Sequence, residues 1–331
     1  AKLGEAAAAG AAGGGLLGVA VGSGGSDDSS SVVRTRGRTM DQESEEGATV
    51  ARQLYVLTVR EDKSRRGTNL TLINAIQMCI MGILTGLFWW QLPGDTDEHV
   101  MERFSILFFV IIAQSNAVVF TCVNTFAKER QLMLRENAKG MYHPLPFFIA
   151  KTASDTVNTL VLPCFYATVT YFAVGLRPTA EAYIVYIAAF ALCILVAQSL
   201  GLALSCAIPD VQVSLIVAPM VILMLMILGG FYVSFSSMPA FIRWLSWGSQ
   251  ARYGFNLMVI NEFKGREFAC VPGSHVRYGE NCPLLGEDVI RALEMDDLTV
   301  GQCFTALVLM QVLLRVGAYV ALLVNFSRLK Q

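Results

Sequence analysis

The chain has 331 residues, 54% of them hydrophobic and 15% charged, where soluble domains carry about 25% charged residues. That deficit places it in a membrane. Its net charge is −1 and its basic residues gather beside apolar runs, so it has no electrostatic footprint for nucleic acid and no nucleic-acid partner is expected.

Residues 1–45 are an Ala/Gly-rich run followed by Ser-rich sequence between Ser23 and Ser31. Lys2 before the Ala/Gly run faintly imitates a secretory signal. The composition is more simply that of a flexible low-complexity linker, expected to be disordered, which leaves 46–331 as the folded domain. The next stretch, Ala48 to Arg60, sets Val50, Leu54 and Leu57 against Arg52, Gln53 and Arg60. This amphipathic pattern suits a helix lying in the membrane interface, and equally one that packs on a partner domain.

Six apolar runs of bilayer-crossing length follow, near 70–91, 104–126, 154–175, 182–207, 211–233 and 302–325. The expected fold is therefore an all-α membrane protein with six transmembrane helices. Arg52, Arg60, Lys63, Arg65 and Arg66 precede the first run, the 128–151 loop is basic, and Arg328 and Lys330 close the chain. The short loop at 92–103 carries Asp95, Asp97 and Glu98 instead. This asymmetry puts both termini in the cytoplasm and makes 234–300 an extracellular loop. The Asn-x-Ser/Thr triplets at Asn69 and Asn325 then fall on the cytoplasmic side, beyond the reach of glycosylation.

Between the second and third runs lies the charged block Lys128 to Tyr142. Its alternating Glu129, Arg130, Arg135 and Glu136 suit a short amphipathic cytoplasmic helix, stopped by Gly140 and anchored at the headgroups by Tyr142. On the residues alone, a solvated charged turn serves as well. Inside the second run, Gln114 and Asn116 need partners, and hydrogen bonds between helices are the common use. Pro163 and Pro219 predict kinks. Arg315, near the middle of the last run, must face protein or water, because a charge there costs roughly 2.5–3.5 kcal/mol. Bonds to neighbouring carbonyls or amides are the first expectation, a substrate contact the second.

The extracellular segment opens with Pro239 to Trp247, too short to span and rich in Trp, which fits a re-entrant or interfacial turn. Cys270 and Cys282 flank a Pro/Gly-rich polar loop and can pair as a disulfide there. With His275 they lack a fourth zinc ligand, so no metal is expected. Cys79, Cys122, Cys164, Cys193 and Cys206 lie in apolar runs as small hydrophobes; Cys303 is a weaker candidate for a bridge between subunits. No catalytic residues are expected. His-Glu-x-x-His is absent, His99, His143 and His275 lie far apart in loops, and the spans hold no pair of aspartates.

Several motifs in order carry a resemblance. They are Lys128-Glu129-Arg130, Arg135-Glu136 and Gly140-Met141-Tyr142, then Gly229-Gly230-Phe231-Tyr232-Val233, Arg252-Tyr253-Gly254-Phe255 and Asn261-Glu262-Phe263. Together they resemble the membrane domain of ABC transporters of the ABCG (white/brown) subfamily, over about residues 48 to 328. The resemblance implies that the block with Glu129, Arg130, Arg135, Glu136, Gly140 and Tyr142 couples to an ATPase. It also implies that the second and fifth spans flank a central cavity on a dimer axis. Phe109, Ala113 and Asn116 would line that cavity from the second span and Pro219, Leu223 and Met226, with Gly230, from the fifth. Phe231 and Tyr232 would close it outward, where other members often carry leucines; on the residues alone Tyr232 equally suits an aromatic belt at the outer interface.

No Gly-x-x-x-x-Gly-Lys-Ser/Thr phosphate loop occurs in the chain, so no cofactor is expected in it; ATP and magnesium would enter through a nucleotide-binding domain. In half-transporters of the subfamily that domain precedes the membrane domain, and the chain is expected to be part of a longer product. The implied function is the membrane part of an ATP-driven exporter of lipid-like or amphipathic small molecules. Its partners would be the nucleotide-binding domain and a second half-transporter, in the plasma membrane or an organelle membrane. The alternatives are an ATP-independent channel or carrier, or a regulatory membrane subunit.

Overall fold

The computed structural model describes residues 70–92, 96–138, 144–269 and 283–329. The linker, the stretch Ala48 to Arg60, Gly140, Tyr142, Cys270 and Cys282 lie outside these ranges, and with them the expected helix stop and disulfide. Helix α1 is Leu70–Phe88, α2 Val100–Ala138, α3 Pro144–Val174, α4 Ala180–Ala207 and α5 Val211–Ile227. A short helix, α6 (Ala240–Arg243), leads through the 3-10 turn Trp244–Gly248 into α7 (Gln250–Phe263). Strands β1 (Glu267–Phe268) and β2 (Leu284–Leu285) pair antiparallel, Glu267 opposite Leu285. Helices α8 (Gly286–Ala292) and α9 (Val300–Leu329) complete the order.

Among the described residues, four segments are long and apolar enough to cross a membrane: Val100–Phe126, Leu145–Val174, Ala180–Ala207 and Val300–Asn325. The apolar helices Leu72–Phe88 and Val211–Ile227 are shorter. At 17 residues, α5 extends about 26 Å, a few ångströms under the hydrocarbon thickness. It ends six residues before the expected 233 because Gly229 and Gly230 follow, and Gly230 takes a φ of 90°. Gly230 therefore lies beyond the helical face on which the sequence had set it. Conversely, α2 runs for 39 residues without a Gly or Pro to stop it. The charged block as far as Ala138 is its continuation, not a separate short helix. Pro163 and Pro219 both lie inside continuous helices.

Helix α4 is the centre, packing on α2, α3, α7 and α9. Gly201 makes its contact with α2 close: a Cβ there would stand 2.9 Å from Cys122 Cβ and 3.0 Å from Val119 O. Helix α1 packs on α3 through Gly82 and Gly86, four residues apart, where small residues let backbones approach. A Cβ on Gly86 would come within 2.9 Å of Ala173 Cβ, and Thr85 Oγ1 lies 3.1 Å from Tyr166 OH. The outward faces of α1 and α9 expose Ile73, Ile80, Leu87, Val312, Leu313 and Val316. Such faces are stable when lipid covers them.

Helix α7 is the largest departure from expectation. It falls within the segment read as an extracellular loop, yet every residue except Asn261 is buried, against α4, α9 and α2. Gly254 permits this, since a Cβ there would lie 2.1 Å from Cys193 Sγ. At its end, Glu262 accepts from Arg103 Nη1 at 2.6 Å, Arg266 Nη1 at 2.5 Å and the Arg177 backbone N–H at 3.0 Å. Asn261 Nδ2 donates to Ala182 O at 2.9 Å, and Arg103 Nη2 to Leu92 O at 3.0 Å. Asn261 and Glu262 thereby stitch together the ends of four helices. Buried charges need this degree of satisfaction to be tolerated.

Candidate functional site

The charged block is tied inward. Glu129 Oε1 accepts from Lys151 Nζ at 2.5 Å, and Lys151, 1% exposed, also lies 3.3 Å from Asp155 Oδ1 one turn along α3. The neighbouring Arg130 is 6% exposed and donates to Ser205 O at 2.9 Å, Ile208 O at 3.2 Å and Pro209 O. Two residues expected to face a partner domain therefore hold α2 to α3 and to the α4–α5 turn. Arg135 and Glu136 continue the α2 backbone; their side chains lie outside the description.

A second polar group surrounds Arg315. Its Nη2 donates to Thr156 Oγ1 at 2.7 Å and Gln198 Oε1 at 3.5 Å, and its Nε to Ser199 Oγ at 3.2 Å; Ser199 Oγ in turn donates to Gln311 Oε1 at 2.8 Å. Arg315 thus faces protein, bonded mainly to hydroxyls where carbonyls or amides were expected. Arg315, Lys151, Asp155, Gln198 and Cys122 border a cavity of about 10 Å³, the order of one water. Sequence reasoning missed Lys151 and Asp155 here. Lys151 had been counted as loop, whereas Pro144 starts α3 early enough to bring it within the helix.

The expected cavity residues share one helical face of α2 and one of α5, spaced i, i+4 and i+7 on each. On α2, Phe109 is 37% exposed and Ala113 and Asn116 are partly exposed; on α5, Pro219 is exposed, Leu223 is 55% exposed and Met226 is partly buried at the margin. The two helices pack side by side. Phe109 also stacks toward Trp89, ring centroids 5.6 Å apart. Gln114 Oε1 and Asn116 Oδ1 are buried with no hydrogen-bond partner among the described residues, so the expected bonding between helices does not satisfy these two oxygens.

Phe231 and Tyr232 stand in the turn after α5. Phe231 turns into the protomer: its ring lies parallel to Phe108 at 4.4 Å and 9°, 5.4 Å from Phe104 and 6.0 Å from Phe255. Tyr232, 59% exposed, meets Phe108 edge-on at 5.6 Å. The turn is held from beyond it. A Cβ on Gly230 would come within 2.6 Å of Phe235 Cζ, and the Arg252 guanidinium lies 4.1 Å over the Phe235 ring. Ser236 donates to Glu294 from its backbone N–H at 2.9 Å and from its hydroxyl. These two bonds hold the Glu294 carboxyl below its ordinary value. Cys303 is wholly buried behind α7, which removes it from the candidates for a bridge between subunits.

Among the described residues, no group of three His, Cys, Asp or Glu could hold a metal ion. The decisive comparison is with families: residues 52–263 match the ABC-2 type transporter family. The chain belongs to it. Relatives include ABC transporter G family member 21 of Arabidopsis thaliana, 28% identical over 82% of this chain and 38% of its own length. ABC transporter ATP-binding protein/permease wht-1 of Caenorhabditis elegans is 28% identical over 78% and 39%, and Protein white of Ceratitis capitata 27% identical over 77% and 37%. The chain thus spans less than two fifths of the length of these three relatives. It covers the transmembrane domain of ABC transporters of the G family. The ABC-2 match runs from ahead of α1 to Phe263, so it takes in α2 and α5, both polar groups except Gln311 and Arg315, and the Glu262 junction except Arg266.

Proposed function

We propose that this ABC-2 domain is the membrane-spanning half of an ATP-driven exporter that works as a dimer and carries lipid-like or amphipathic small molecules outward. The observation that carries the proposal is the apolar face that α5 exposes beside α2, with Ile216, Met220 and Leu223 on it. Such a face suits a second half-transporter and a hydrophobic cargo between them. The name of the relative wht-1 joins ATP-binding protein and permease. ATP and magnesium would be held by a nucleotide-binding domain, in the same polypeptide or another, and the chain's own work is to move when that domain closes. In this reading Arg135, Glu136, Gly140 and Tyr142 meet the ATPase, while Glu129 and Arg130 fix the block that receives its push. Tyr232 closes the path outward, braced by Phe231.

The six helices α1–α5 and α9 cross the membrane, both termini lie in the cytoplasm, and α6 with α7 re-enters from outside. The plasma membrane is the proposed site, and Cys270 with Cys282 the proposed extracellular disulfide.

The test is reconstitution in proteoliposomes together with the ATP-hydrolysing domain. ATP and magnesium should drive accumulation of a fluorescent phospholipid analogue, and Leu223→Cys should form an oxidative cross-link between copies. Flux indifferent to ATP, with no cross-link, would establish the carrier alternative instead.

A further inference from the structure

Arg130 does more than its charge requires. The C-terminus of α4 leaves carbonyls without helical partners, and any cation nearby would favour it. Here a single guanidinium reaches Ser205 O in the last turn of α4, Ile208 O at its cap and Pro209 O beyond it. The next residue, Asp210, caps α5 by accepting from the Gln212 backbone N–H at 2.8 Å, and the Ser214 N–H donates to Asp210 O at 3.0 Å. The turn grasped by Arg130 is thus continuous with the first turn of α5. On its other flank, Glu129 binds Lys151 of α3.

We propose that Arg130 is a positioning strut: its planar fork locks the α4–α5 turn to the end of α2, so that displacement of the charged block is delivered to α5 and the open face it carries. The strut rests on the exporter proposal for its purpose, though not for its geometry. A lysine retains the cation but presents one ammonium in place of a rigid fork. It would serve an end-capping role and fail a locking one.

The experiment compares the wild type with Arg130→Lys and Arg130→Met in the assembled transporter. Hydrogen exchange in nanodiscs without nucleotide should show the amides of 208–214 exchanging at least tenfold faster in both variants, with those of 185–200 unchanged. In proteoliposomes, ATP hydrolysed per molecule exported should rise at least fivefold in both. Arg130→Lys matching the wild type in exchange and in that ratio overturns the strut in favour of a simple helix cap, as does unchanged protection at 208–214 in Arg130→Met. The exchange arm needs no ATP, so it decides the lock even if the wild type exports nothing, an outcome that defeats the exporter proposal alone.

Discussion

Phe231 and Tyr232 are adjacent, yet the packing gives them different work. Phe231 stacks on Phe108 and borders Phe104 and Phe255, so Phe231→Ala should destabilise the protein by about 2 kcal/mol, read as a lower melting midpoint in detergent. Tyr232 is mostly exposed; Tyr232→Ala should leave the midpoint within about 0.5 kcal/mol and alter export and its substrate range. Equal losses of stability in the two variants would contradict this division. Glu294 carries a pH dependence. Hydrogen bonds from Ser236 depress its carboxyl, so the fastening contributes stability above the ordinary value of 4.5 and is lost as pH falls below it, through the depressed value. Exchange of the 231–238 amides should accelerate below pH 4.5, and Glu294→Gln should abolish that pH response.

Helices fixed by spacing and length were legible from residues alone; those fixed by tertiary packing were not. The apolar runs at 104–126, 182–207 and 302–325 fall inside α2, α4 and α9. Helix α7 escaped notice because Gln250, Arg252, Asn256 and Glu262 make its sequence polar, and for Arg252 and Glu262 only their partners explain the burial: Arg252 Nη1 donates to Ser246 Oγ at 2.6 Å and Nη2 lies 3.6 Å from Asp297. The glycine at 254 was a visible signal, recognised as part of a motif but not as a place where two backbones meet. At the site, the helical spacing of Pro219, Leu223 and Met226 on α5 was legible in the sequence, whereas Phe109, Ala113 and Asn116 on α2 were named from the resemblance alone. The inward ties of Glu129 and Arg130 were not, because they depend on where α3 and the α4–α5 turn come to rest. The α1–α3 contact gives an element-scale prediction. Gly86→Leu must push Ala173 away and should cost about 2 kcal/mol, releasing α1 to proteolysis before the rest unfolds. An α1 that stays protected would show that the glycine is not needed for the contact.

Across the whole molecule, α2 links the two ends of the bundle. Asn124 is exposed on it, between the close contact at Gly201 and the ties at Glu129 and Arg130. Asn124→Pro would interrupt the backbone ladder there and should uncouple ATP hydrolysis from export, whereas Asn124→Ala should behave as wild type. Equal export from both variants would show that continuity of α2 is dispensable. The uninterrupted rod has a further consequence. Gly201 brings it close to α4 around Val119 and Cys122, about 14 Å along the axis from Arg130 and about 19 Å from Phe108. Under the proposed push from an ATPase, a stiff beam pivoting there would swing its long arm opposite to, and about a third farther than, its short one, so an inward nudge at the charged block would arrive as a somewhat larger outward sweep beneath the stacked aromatic rings.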